Sequence, residues 1–260
     1  MDLQLKDKVI LITGGVKGIG AAIVRVCGQE GAIPVIVGRG AEAGEQLQAE
    51  LHRTGVISHF VCTELGVREN CAKAVDEAIK AFGRLDALVN NAGVNDKVGL
   101  EHGSPEEFLA SLHRNLLHYY NMAHDALPHL KRSRGTIVNI GSKAAVTGQG
   151  GTSGYAASKG AIMAMTREWA AELLPYGIRV NAVIPAEVMT PLYQRWLDTF
   201  PNPGEKLERI VSRIPLGKRM TMSEEIAATT VFLISSQSGH TTGQHLFVDG
   251  GYVHLDRALT

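Results

Sequence analysis

The sequence carries no net charge: Lys+Arg and Asp+Glu each number 26 across 260 residues. A balanced chain offers no electrostatic attraction to nucleic acid or to an anionic membrane surface, so neither is an expected partner. Cysteine is scarce. Cys27, Cys62 and Cys71 are odd in number and lack CxxC spacing. They exclude a disulfide frame and a zinc site, and they read as reduced, buried thiols of a cytoplasmic protein. No uninterrupted apolar run approaches the ~18 residues of a membrane span. The opening MDLQLKDK has no apolar signal core. Internal repeats and low-complexity tracts are absent. His113, His118 and His124 have no ligand spacing with acidic residues, so they read as surface or packed side chains and no metal is expected. What remains is ordinary globular composition, 45% hydrophobic and 20% charged, long enough for one α/β domain.

The first half alternates short apolar runs with amphipathic stretches. Residues 8–13 (KVILIT) read as a buried strand that runs into Gly14, Gly15, Val16, Lys17, Gly18, Ile19 and Gly20. Helical period resumes at Ile19. A glycine-rich turn between a first strand and a first helix lets backbone N–H groups approach a pyrophosphate, and the helix N-terminus adds partial positive charge. The spacing is G-x3-G-x-G, not GxGxxG. Residues 32–38 read as the second strand, with Pro34 at its start. A dinucleotide's adenosine ribose would rest at its end, where a carboxylate would hold the 2′-hydroxyl of NAD. No carboxylate stands there: Gly38 is followed by Arg39. A small residue and a guanidinium leave room and charge for a 2′-phosphate, which favours NADP with NAD as the second candidate. The alternative is an exposed arginine opening the second helix. Strands at 58–62 and 85–90 alternate with helices at 41–53 and 67–82. This order predicts a doubly wound parallel sheet with helices on both faces, ligands binding beyond the strands' C-terminal ends. Asn91 and Gly93 fall at such an end.

The stretch from Ser142 to Lys159 carries the chemistry. Tyr155 and Lys159 stand at i and i+4 on a helix expected to run to residue 174, and so share a face. Tyrosine's ordinary pKa is about 10, and an ammonium within a few ångströms would lower it. Ser142, delivered by a strand at 135–141, could hold a substrate oxygen against the phenol. The alternative is a core helix with a surface lysine. The loop of residues 143–154 carries Thr147, Gln149, Thr152 and Ser153 among glycines, a polar lining that suits a hydroxyl-rich substrate better than a steroid or acyl chain. Asn95 and Asp96 add polar groups at the same rim. A helix at 105–129 contains Asn115. After a sixth strand at 178–184, Glu187 either accepts bonds from vicinal hydroxyls or faces solvent. Residues 192–215, with Trp196 and Phe200, read as a lid over the substrate, its hinge reaching back to about 187. Thr221 or Ser223 caps a helix through 234, and a seventh strand spans 245–249. The polar tail, residues 252–260, is expected to reach a neighbouring subunit.

TGGVKGIG at 13–20, NNAG at 90–93, Asn115, Ser142, YAASK at 155–159 and VDGG at 248–251 together resemble the short-chain dehydrogenase/reductase family over nearly the whole chain. The resemblance implies a single Rossmann-type domain over 1–260 with about seven parallel strands. Its dinucleotide-binding half would span 1–95 and its catalytic and substrate half 96–260. It implies a catalytic tetrad of Asn115, Ser142, Tyr155 and Lys159, with Asn115 holding a water that links the lysine to solvent. It implies a nicotinamide cofactor held by Gly14, Val16, Lys17, Gly18, Ile19, Gly20, Arg39, Glu64, Leu65, Asn91, Ala92, Gly93, Tyr155, Lys159, Pro185, Val188 and Thr190. Substrate contacts are assigned to Asn95, Ser142, Gln149, Tyr155, Glu187 and Trp196. Helix–helix assembly into a dimer or tetramer is implied as well, with a homotetramer favoured. Ala186 departs from the Pro-Gly usual after this strand. PAEVMTPLY, SGHTTG and VDGGYVHLDRAL resemble a sugar-oxidising subgroup, the bacterial L-fucose dehydrogenases, which implies oxidation of an anomeric hydroxyl to a lactone. The alternatives are a family member acting on a steroid or other hydroxy or keto compound, and a cofactor-binding protein without catalysis.

Overall fold

The computed structural model describes residues 2–256. Its centre is one seven-stranded sheet in the order β3-β2-β1-β4-β5-β6-β7, every neighbouring pair parallel. The strands are β1 Val9–Thr13, β2 Ile33–Gly38, β3 His59–Cys62, β4 Ala87–Asn90, β5 Thr136–Ile140, β6 Arg179–Pro185 and β7 His245–Val248. The order reverses between β1 and β4, which opens a crevice at their C-terminal ends. Pro34 is the second residue of β2 and pairs in register with Ile10.

Both faces of the sheet are covered, which is why its strands read as continuous apolar runs. Ile10 and Ile12 point to one core, with Ala22, Ile23 and Val24 of α1 (Gly18–Gln29), Leu47 and Leu51 of α2 (Ala41–Arg53) and Ile226 and Val231 of α10 (Ser223–Ile234). Val9 and Leu11 alternate to the other, with Ala74 and Val75 of α3 (Arg68–Phe82), Met122 and Ala126 of α5 (His118–Ser133) and Trp169 of α7 (Ser153–Glu172). No helix among the described residues is long and apolar enough to cross a membrane.

Several local expectations need correction. The single helix at 105–129 is α4 (Pro105–Leu112), a π-helical turn (His113–Leu117) and α5, which continues past Pro128 to Ser133. Thr147 lies in a short helix, α6 (Ala144–Thr147), and Ser153 opens α7, so the polar loop is shorter than expected. The lid segment is α8 (Pro191–Leu197) and α9 (Pro203–Val211). Met222 takes the N-cap position of α10, its N–H donating 2.8 Å to Glu225. Cys62 is exposed because it ends an edge strand, whereas Cys27 and Cys71 are buried, and all three are free thiols. Residues 252–256 turn back on their own chain, with Tyr252 placing its ring 4.0 Å from the Lys143 amine; residues 257–260 of the expected subunit-reaching tail lie outside the described residues.

A Cβ on Gly20 would meet the Gly14 carbonyl oxygen at 2.2 Å, whereas one on Gly160, in α7, meets nothing within 4 Å. Gly20→Ala is therefore expected to lower Tm by at least roughly 5 °C, because two backbones must part. Gly160→Ala should hold or raise Tm, since alanine is the better helix residue. Thermal unfolding of both variants checks the pair.

Candidate active site

The glycine turn and the loop after β4 are built as one unit. The Thr13 hydroxyl accepts from the Asn91 and Ala92 amides at 2.9 and 3.1 Å. The Asn91 side chain donates back to the Thr13 and Gly14 carbonyls at 2.9 and 3.2 Å. Gly14 and Gly18 have φ of +64° and +55°, a conformation that favours glycine. No side chain caps α1, so its first amides are free to donate to an anion.

This unit forms the middle of a cleft of about 600 Å³. Arg39, Glu64 and Leu65 line one end; Ser142, Tyr155 and Lys159 line the other. All seventeen residues assigned to the dinucleotide border it, from Gly14 to Thr190. Arg39 is not a free guanidinium: it donates to Glu64 at 2.9 Å in an exposed ion pair. Hydrogen bonds from the Gly66 amide and Arg39 hold the Glu64 carboxyl below its ordinary range, against an opposing desolvation.

Beneath the end lined by Ser142, Tyr155 and Lys159 runs a buried polar ladder. Asn90 donates to Asn139 at 3.1 Å, and Asn139 donates to Thr166 at 3.0 Å. It fastens β4 and β5 to α7, the helix that carries Tyr155 and Lys159. Nothing in hydrophobic periodicity signals it, since each member sits in an apolar run. Lys159 reaches inward, donating to the Ile140 carbonyl at 2.8 Å and to the Tyr119 hydroxyl at 3.0 Å. Burial lowers its pKa to about 7. Its amine lies 5.7 Å from the Tyr155 ring centre. The expected lowering of the phenol's pKa is not what the protein's own groups produce. Burial raises Tyr155 above its ordinary value, and only the hydrogen bond with Ser142 opposes it.

Asn115 is fully buried one layer behind the cleft. Its side chain accepts from the Val94 amide at 2.7 Å and donates to the Ser111 carbonyl at 3.1 Å, bracing the segment that follows β4. His118 takes the packed alternative: it is buried and borders the cleft. Burial and the nearby Lys159 charge lower its pKa to about 4.

Of the assigned substrate residues, Asn95, Ser142 and Tyr155 line the cleft. Gln149 is exposed outside it. Trp196 does not line the cleft; it packs edge-on between Tyr193 and Phe200, at ring distances of 5.1 and 4.9 Å. Glu187 is neither solvent-facing nor available to a substrate hydroxyl. One carboxylate oxygen is ion-paired with the buried Lys143, and the other accepts from the Tyr193 hydroxyl at 2.7 Å. The lid residues that do line the cleft are Leu192, Tyr193 and Arg195. The Thr190 cap, accepting from the Tyr193 amide at 3.2 Å, starts their helix. Thr190 before Pro191 is a helix-start signal that could have located them from sequence.

Removing one partner of a largely buried ion pair leaves an uncompensated charge, at about 3 kcal/mol or more. Glu187→Gln and Lys143→Met are each expected to lower Tm by several degrees. The double variant should recover part of that loss in a double-mutant cycle, and additive losses would contradict the pairing.

Residues 8–199 match the short chain dehydrogenase family model. L-fucose dehydrogenase of Bos taurus is 38% identical over 252 residues, covering 96% of this chain and 91% of that protein. The crystal structure of Cj0485 dehydrogenase superposes with a TM-score of 0.95 at 48% identity, covering 100% of this chain and 99% of that one. L-sorbose reductase from Gluconobacter frateurii, solved with NADPH and L-sorbose, superposes with a TM-score of 0.93 at 27% identity, covering 98% of this chain and 100% of that one. With the glycine turn, the switch-point cleft and the Ser142, Tyr155 and Lys159 cluster on one sheet edge, these matches place the chain in the short chain dehydrogenase family.

Proposed function

We propose that this protein is an NAD(P)-dependent aldose dehydrogenase that oxidises the anomeric hydroxyl of L-fucose, or of a sugar of like stereochemistry, to the lactone. The observation that carries the reading is the convergence of Ser142, Tyr155 and Lys159 at one end of a cleft whose other walls carry the glycine turn, Arg39, Glu64 and the Asn91–Gly93 segment. The cradle fits: the positive-φ glycines and the uncapped start of α1, in the middle of the cleft, suit a pyrophosphate between an adenosine site and a catalytic site. The likeness to L-fucose dehydrogenases and to a sugar reductase supports a sugar over a steroid or acyl chain.

A bound nicotinamide would supply the hydride acceptor at C4. The chain's own residues do the rest. Ser142 donates to the reacting oxygen and holds it against the phenol. Tyr155 removes the hydroxyl proton as the C–H bond breaks. Lys159, with one N–H left after its two inward bonds, turns its positive charge toward the phenolate as it forms. Arg39 accepts a 2′-phosphate by exchanging it for Glu64, so NADP is the preferred cofactor and NAD remains usable.

Tyr155→Phe is expected to reduce turnover by at least ~100-fold while cofactor affinity survives. An aldose panel with both cofactors provides the assay, and turnover within tenfold of wild type would remove the base assignment. The same geometry sets a pH sign. Burial raises the phenol's pKa, so the deprotonated base is scarce near neutrality. The oxidation rate should therefore climb with pH through the alkaline range, whereas reduction, which needs the protonated phenol, should not. A flat oxidation profile would contradict this. Arg39→Asp should shift the NADP/NAD ratio of kcat/KM toward NAD by roughly tenfold or more, and an unchanged ratio would exclude the discriminator role.

A further inference from the structure

Tyr119 is the largest fully buried side chain among the described residues and sits beside the amine of Lys159. Its hydroxyl donates to the Ile140 carbonyl at 3.0 Å and accepts from the Lys159 amine at 3.0 Å, and that amine also donates to Ile140 at 2.8 Å. The three groups close a triangle at the end of β5, two residues before Ser142. Phenylalanine would fill the same volume, so the hydroxyl is there for a polar purpose.

We propose that Tyr119 is a positioning residue for Lys159: its hydroxyl, oriented by the Ile140 carbonyl, takes one of the amine's three N–H groups and leaves a single one for the cleft. The inference rests on the reading of Lys159 as part of the catalytic cluster. The triangle ends on a backbone carbonyl, which cannot hand a proton onward, so it anchors the amine and does not conduct from it. Burial holds the Tyr119 phenol well above its ordinary pKa, so it serves as a neutral acceptor and not as a counter-ion. The other titratable groups facing the amine are Tyr155, one turn earlier on α7, and His118, beside Tyr119 on α5. His118 stays neutral: its Nε2 contacts the Arg114 carbonyl at 3.0 Å, and its buried Nδ1 has no partner. Tyr119 thus supplies the only side-chain hydrogen bond given to this amine among the described residues.

Removing an acceptor from an ammonium disfavours its charged form, so the lysine's pKa must fall. The test is Tyr119→Phe, with Tyr119→3-fluorotyrosine as a nearly volume-preserving variant whose oxygen is a weaker acceptor for the amine while its O–H still donates to Ile140. Lysine labelled with 13C at the ε carbon, assigned by its loss in Lys159→Met, reports the amine's titration midpoint by NMR without any substrate. The midpoint, about 7 in the parent, is expected to fall by roughly half to one unit in Tyr119→Phe and by less in the fluorinated variant. The alkaline rise of the oxidation profile, set by the Tyr155 phenol, should move the opposite way, to higher pH, because a less readily charged amine stabilises the phenolate less, and kcat should drop about tenfold, the scale of one hydrogen bond to a charged group, at nearly constant sugar KM. An unchanged midpoint and profile, with only a lower Tm, would overturn the proposal and leave Tyr119 a packing residue. Wild-type turnover in Tyr155→Phe would instead sink the catalytic reading, and the NMR midpoint would still decide the role of Tyr119.

Discussion

A lysine amine held inside the protein needs acceptors, and Lys159 finds them at the C-terminal end of β5. That contact ties α7 to the sheet edge where the strands deliver the rest of the site. Ser142 follows β5, the Asn91–Gly93 segment follows β4, the glycine turn follows β1 and Pro185 ends β6. In a parallel sheet all these ends face the same way. One helix docked in one register therefore sets the reach of both Tyr155 and Lys159 into a cleft the sheet has already formed. The Asn90, Asn139 and Thr166 ladder fixes that register from below. Its Asn90 amide donates to both Asn139 and the Tyr119 carbonyl, while the Asn90 Oδ1 has no partner among the described residues.

Electrostatics inside this arrangement run against the simplest expectation. Burial raises the phenol and lowers the amine, so both neutral forms are favoured. The spacing of a tyrosine and a lysine at i and i+4 does not alone make a base. The phenol's environment is completed by what occupies the cleft, and by how firmly the amine is held back toward Ile140.

The fold was legible because strand and helix signals were strong and alternated. The apolar runs at β1, β4 and β5 are buried on both faces and read as continuous hydrophobic stretches. The glycine turn was legible too, since Gly14 and Gly18 need positive φ there. The substrate end was not. Glu187 looked available because its sequence neighbours are loop-like, yet its partners, Lys143 and Tyr193, arrive from two other segments. Trp196 looked like a lid contact, but an aromatic on a short helix can face either way, and this one packs on Tyr193 and Phe200. Asn115 and Tyr119 were similarly opaque, because a π-turn re-aims the helix face at that point. Periodicity finds faces; it does not find the partner that a polar side chain meets 44 residues away, as Glu187 meets Lys143.

The account stands on hydride leaving a sugar carbon for the nicotinamide within this cleft. Incubating the protein with L-fucose deuterated at C1 and oxidised cofactor, then reading the reduced nicotinamide by mass spectrometry, follows that atom directly. The account predicts deuterium on the nicotinamide C4, on one face, together with the lactone. Absence of reduced cofactor with this and every other aldose, or label appearing in solvent instead, would contradict it.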